Sequence, residues 1–172
     1  MHNKIIYILI AIFFIPQVCF ADVFNSPKSL EYIVQKMPVF SNVDCNFKQE
    51  KKMPNNVVLN SSGEFLYDKT NGVTFKTTYP IRAINAYSPK EYNQINEIIN
   101  AIANRRYSKL ENQFNFYYLD TNPWQFALKP KTNSQASKYL KYIEISGSKR
   151  ISKMIVSTTN SVKTTIWFYE KD

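Results

Sequence analysis

The sequence predicts an α+β protein in which helices cover one face of a curved antiparallel sheet. Two observations predict it. Apolar and polar residues alternate over several short segments joined by tight turns, the pattern of antiparallel strands. Those segments fall into two blocks, 43–87 and 114–169, with one helical stretch ahead of the first and another between them. Neither a helix nor a sheet leaves its apolar face in water, so the helices must lie against the sheet.

The first 21 residues read as an export leader rather than as structure. Lys4 gives a positive start, and Ile5 to Pro16 is an apolar run too short to span a bilayer. Cys19-Phe20-Ala21 is a small-x-small cleavage signal, with Asp22 as the expected new N-terminus. A membrane anchor is the competing reading, and the short run interrupted by Pro16 argues against it. Pro16-Gln17-Val18 also lacks the Leu and small residues of a lipidation signal at Cys19. The remaining chain, 22–172, is the length of one domain with its own core. Cleavage removes Lys4 and no acidic residue, so the net charge falls from +9 to +8. That balance suits an anionic partner, or reflects no more than Lys-rich composition.

Composition excludes much chemistry. His2 is the only histidine and leaves with the leader, so triads and histidine-ligated metal sites are out. Cys45 alone of the two cysteines survives, leaving no disulfide, redox pair or thiolate cluster; it is expected to be a small buried hydrophobe. The three glycines, Gly63, Gly72 and Gly147, form no phosphate-binding loop. Carboxylates are scattered, with no pair marked for acid–base work. No cofactor and no enzymatic function are expected, and no recognition motif accompanies the charge to suggest nucleic acid.

Along the chain, Ser26 as N-cap and Pro27 as first residue predict a helix carrying Leu30, Ile33, Val34 and Met37 and stopping at Pro38. Cys45, Phe47 and Gln49 alternate as a strand. Val57 to Tyr67 is a second strand, broken near Gly63, and Asn71-Gly72 supplies positive φ angles for a hairpin. Val73, Phe75 and Thr77 share a face until Pro80, and Ile81 to Tyr87 follows. After Ser88-Pro89, residues 91–107 read as a helix with Ile95, Ile98, Ile99 and Ile102 in one stripe and Arg105-Arg106 at its C-terminal dipole. Residues 109–114 form a short helix or turn. Strands then recur from Phe114, Trp124, Tyr139, Ile151 and Val162. Lys48, Lys51 and Lys52 read as a solvated edge, or as contacts for lipid head groups or an acidic partner. Such an aromatic sheet encloses either a packed core of rings or a ring-lined cavity.

The order of motifs bears on that alternative. Phe47-Lys48-Gln49, then Ser61-Ser62-Gly63-Glu64-Phe65, then Gly72-Val73-Thr74-Phe75 and Pro80 resemble the opening of LolA-like outer-membrane lipoprotein carriers. Trp124 to Pro130, Ile143-Glu144-Ile145-Ser146-Gly147 and Thr165-Ile166-Trp167-Phe168 resemble that family's later strands. The resemblance implies an incomplete antiparallel β-barrel, covered by an N-terminal helix and a central helical lid, around an apolar cavity. It implies a periplasmic carrier that shields the acyl chains of a lipoprotein, a glycolipid or another lipid during transfer from the inner to the outer membrane. Its expected partners are the acyl cargo, an inner-membrane exporter and an outer-membrane acceptor, with transient membrane contact and a monomeric state. On this resemblance the cavity residues are Phe65, Tyr67, Phe75, Phe116, Trp124, Phe126, Ile143, Ile166 and Phe168 from strands, with Ile95, Ile98, Ile99 and Ile102 from the lid. The chain departs from the family's best-known members where an arginine ties sheet to lid: here Lys69 or Thr70 stands nearby. It also lacks their middle strand pair and C-terminal extension, which places it nearer the shorter members of the family. A basic periplasmic interaction module without a cavity is the alternative, and a carboxylate hydrolase a distant third.

Overall fold

The computed structural model describes residues 22–40, 42–87 and 94–171. The leader, the Ser88-Pro89 break and the expected helix start at residue 91 lie outside them. Strand β1 (Pro27–Lys28) and helix α1 (Leu30–Lys36) open the chain after a single 3-10 turn at Val23–Asn25. The first block supplies β2 (Val43–Lys52), β3 (Val58–Asp68), β4 (Gly72–Tyr79) and β5 (Ala83–Tyr87). Helices α2 (Gln94–Ala103) and α3 (Ser108–Glu111) follow. The second block supplies β6 (Phe114–Leu119), β7 (Trp124–Pro130), β8 (Leu140–Gly147), β9 (Ile151–Thr158) and β10 (Lys163–Tyr169).

All ten strands form one antiparallel sheet in the order β1-β6-β7-β8-β9-β10-β2-β3-β4-β5. Each block is a meander, because its strands follow one another through short turns. Pairing of β10 with β2 joins the two blocks in the middle. The sheet is open: β5 stands at one end and β1 at the other. The chain must therefore travel from β5 back to β6, across the full width of the sheet. It does so with α2 and α3, which is why the helices roof one face. α2 lies against β4, and α1 and α3 lie against β6.

Side-chain alternation decides the inner face. Cys45 and Phe47, Phe65 and Tyr67, Phe114, Phe116 and Tyr118, and Trp124, Phe126 and Leu128 are all buried, at the period of two that strands impose. β3 is not broken near Gly63 but runs on from Val58 to Asp68. The irregularity is in β4, where Thr78 is extra between the pairs Ser62–Tyr79 and Gly63–Thr77, and a Cβ at Gly63 would lie 2.0 Å from the Lys76 carbonyl oxygen.

Several expectations are corrected. The first helix begins at Leu30, not at Pro27. Its cap is Ser29, whose Oγ accepts the Tyr32 N–H at 3.3 Å. Pro27 instead pairs with Tyr117 in β6, and the Ser26 carbonyl accepts the Tyr118 N–H at 3.0 Å. Sheet pairing thus takes the first Ser-Pro and leaves the second serine to cap. The hairpin after β3 uses positive φ at Gly72 alone (83°), while Asp68 Oδ1 accepts the N–H groups of Thr70 and Asn71, both at 2.8 Å. Lys48, Lys51 and Lys52 lie on no sheet edge, since β2 is central.

The lid helix stops at Ala103 rather than running to Tyr107. Arg105 takes a left-handed φ of 56°; its N–H donates to the Ile102 carbonyl (3.1 Å) and that of Arg106 to the Ala101 carbonyl (2.7 Å). This is the Schellman stop, made with arginine where glycine is usual. The Arg105 guanidinium donates to the Val34 carbonyl in the last turn of α1. Its charge therefore serves the C-terminal dipole of α1, not that of its own helix.

Candidate functional site

Under α1 and α3 the two layers close completely. Ile33, Tyr107, Phe126, Leu128 and Ile143 are fully buried there, with Phe116 stacked on Phe126 (centroids 6.3 Å apart) and Tyr107 set edge-on to Phe126 (6.3 Å). Under the end of α2 they do not close. A cavity of about 300 Å³ remains between helix and sheet.

Its sheet wall is Cys45, Phe65, Tyr67, Ile145, Met154 and Phe168, and its roof is Ile99, Ile102 and Ala103. Register explains the wall. Cys45 pairs with Phe65, Val43 with Tyr67, and Ile145 with Met154, so each pair points to one face at one level. Behind the wall, Phe75 meets Phe65 (5.0 Å) and Phe47 (5.2 Å) edge-to-face, and Phe65 meets Phe168 (5.0 Å). Phe40 closes one side, and exposed Val39, Asn42, Lys149 and Arg150 stand at the mouth.

The wall is chemically quiet. Burial pushes the Cys45 thiol up to about 11, with nearby Asp44 adding to the rise, so it stays protonated at neutral pH. Burial also raises the Tyr67 phenol, against the hydrogen bond it accepts from Asn104. That bond, Asn104 Nδ2 to Tyr67 Oη at 2.9 Å, ties the end of α2 to β3. The tie stands at Tyr67, and not at Lys69 or Thr70, which are exposed in the β3–β4 turn. Among the described residues, no three His, Cys, Asp or Glu side chains gather as a metal site. No helix among them is long and apolar enough to cross a membrane.

Of the residues predicted for the cavity, Phe65, Tyr67, Ile99, Ile102 and Phe168 line it. Phe75 stands one ring behind. Ile98, Phe116, Trp124, Phe126, Ile143 and Ile166 are buried in the packed core instead. Ile98 is on α2; the five strand residues share the correct face, but their positions along the strands fall in the packed core rather than at the cavity. The side chain of Ile95 lies outside the described residues. The sequence reading missed Phe40, Cys45, Ile145, Met154, Lys149 and Arg150. Ile145 is two residues from Ile143, on the same face at the open end; parity located the face, and only register locates the end.

Fold and site together define an open antiparallel half-barrel whose helices roof an apolar cavity. No family model and no curated protein sequence matches the chain. Among solved structures it is similar to the crystal structure of the LolA superfamily protein NE2245 from Nitrosomonas europaea. The identity is 8%, covering 84% of this chain and 94% of that one, with a TM-score of 0.40.

Proposed function

We propose that this protein is an exported, non-enzymatic carrier that holds an acyl chain of a lipoprotein or lipid out of water while it passes between membranes. The observation that carries this reading is the apolar cavity between α2 and the sheet, walled by Cys45, Phe65, Met154 and Phe168 and open at one end. Each methylene moved from water into such a wall contributes about 0.8 kcal/mol, so even a partly inserted chain is retained. Release then needs a state in which the chain is held less well: α2 lifted from the sheet, or an acceptor with a better cavity. In this reading, residues 1–21 are a cleaved leader, 22–172 are one carrier domain in the periplasm, and an inner-membrane exporter and an outer-membrane acceptor are its partners.

The test is native mass spectrometry of protein purified from the periplasm without detergent, followed by solvent extraction. A discrete added mass that extracts as lipid is expected. A clean apo mass, together with no uptake of an apolar fluorescent probe, would contradict the reading and leave the basic interaction module.

A further inference from the structure

The carrier reading leaves the polar end of the cargo unassigned, and the cavity mouth carries information about it. The turn between β8 and β9 presents Lys149 and Arg150 at that mouth. The turn is held at several points. Gly147 permits its tight closure, since a Cβ there would lie 2.0 Å from the Arg150 carbonyl oxygen. The Ser148 N–H donates to that same carbonyl at 3.1 Å. The buried Trp124 indole donates to the Ser148 carbonyl at 2.6 Å, and Ser148 Oγ bonds Asn122 Oδ1 at 2.9 Å. The backbone that carries these two cations is therefore fixed at the opening by a buried ring and a tight turn.

Among the residues that line the cavity, Lys149 and Arg150 stand against the single carboxylate of Asp44. Asp44 is the only acidic residue among those lining the cavity, and Lys171 already engages it at 2.5 Å. Arg150 pairs with Glu170 through an exposed contact, which water and salt weaken. Lys149 has no ion-pair partner among the described residues. The Arg150 charge also reaches the wall, where it acts to lower the Cys45 thiol against the effect of burial. The volume is informative too: about 300 Å³ is the lower end of ligand-site sizes and suits one aliphatic chain rather than several side by side.

We infer that the cavity takes a single-chain amphiphile with an anionic head, the chain lying between α2 and the sheet and the carboxylate or phosphate held by Lys149 and Arg150. This rests on the carrier reading and names the ligand class. A carboxylate head describes a fatty acid and a phosphate head a lysophospholipid; both offer oxygens that a guanidinium and an ammonium bind.

The test is displacement of a bound apolar probe from the delipidated protein, in low and high salt, by three ligands of equal chain length. These are a fatty acid, a lysophosphatidic acid and the neutral fatty alcohol. At least one anionic ligand is expected to bind about tenfold tighter than the alcohol in low salt, with the preference shrinking in high salt. The anion that shows it identifies the source of the head. In the Lys149→Ala/Arg150→Ala variant the preference should disappear while the affinity for the alcohol stays the same. Equal binding of all three, or a preference that survives in the variant, overturns the anionic-head assignment and leaves the carrier reading standing. Failure of every chain, the alcohol included, overturns both. Loss of alcohol binding in the variant alone would show that the turn shapes the cavity rather than reading charge, and also overturns the assignment.

Discussion

Two regions of one concave face are built from the same kind of residue and end differently. Beneath α1 and α3, Tyr107 sits edge-on to Phe126 and Phe116 stacks on it, and Ile33, Leu110, Leu128 and Ile143 are buried in the same core. Beneath the end of α2, Cys45, Phe65, Met154 and Phe168 meet Ile99, Ile102 and Ala103, and a cavity remains. The strands do not make the difference, since both regions alternate apolar residues inward. The roof does. One region receives the ring of Tyr107; the other receives Ile99, Ile102 and the single methyl of Ala103, with no ring among them. In this protein the gap lies where the roof brings no ring to the sheet.

The comparison can be broken most directly in the filled region. Phe126→Ala should cost about 3–5 kcal/mol in denaturant unfolding, because packing at that level leaves no room for collapse. Phe168→Ala, on the half-open wall, should cost clearly less and should change probe binding instead. Equal losses would mean that the two regions are packed alike.

Roof size is tested by Ala103→Leu. The added side chain enters space already empty, so stability should change by under about 1.5 kcal/mol while uptake of an apolar probe falls roughly tenfold. A drop in stability with probe uptake intact would place the cavity elsewhere.

How the roof is fastened gives a smaller effect. Asn104→Ala removes the hydrogen bond to Tyr67 and should cost about 1 kcal/mol, read as faster amide exchange confined to α2. Exchange that accelerates equally in β7 would mean that α2 does not open as a unit.

The smallest effect lies in the filled region. The Tyr107 hydroxyl is buried with no hydrogen-bond partner among the described residues, so Tyr107→Phe should be neutral or stabilising by about 1 kcal/mol. Burial pushes this phenol up to about 12, above its ordinary value of 10.0. The folded chain then keeps a proton that the unfolded chain loses, so wild-type stability should fall as pH rises from about 10 towards 12. The variant should lack that part of the fall.

Much of this was legible in the sequence, and the reasons are local. Strand parity at Cys45-Phe47, Phe114-Phe116-Tyr118 and Trp124-Phe126-Leu128 follows from a period of two that no distant contact alters. The glycine within β3 marked where pairing with β4 shifts register, although the strand itself runs through it unbroken. What failed was decided at long range. Ser26-Pro27 has the composition of a helix start, yet pairing with β6 makes it a strand. Arg105 stops α2 in a conformation for which glycine would have been the signal, and its side chain finds α1 rather than its own helix. The division of one apolar face into core and cavity depends on which helix residues lie above each strand position. Nothing within a strand encodes that, so Phe126 and Phe168 look equivalent until the layers are assembled.

An acyl chain bound by this protein should occupy the α2 region and not the α1–α3 region. The most direct measurement is photolabelling: load the protein with a fatty acid carrying a photoreactive group near its chain end, irradiate, and map the adducts by peptide mass. Adducts are expected on the cavity wall and roof, at Cys45, Phe65, Ile99, Ile102, Met154 or Phe168, competed away by unlabelled fatty acid. Adducts at Phe126 or Ile143, or labelling of the outer face that excess ligand does not compete, would contradict it.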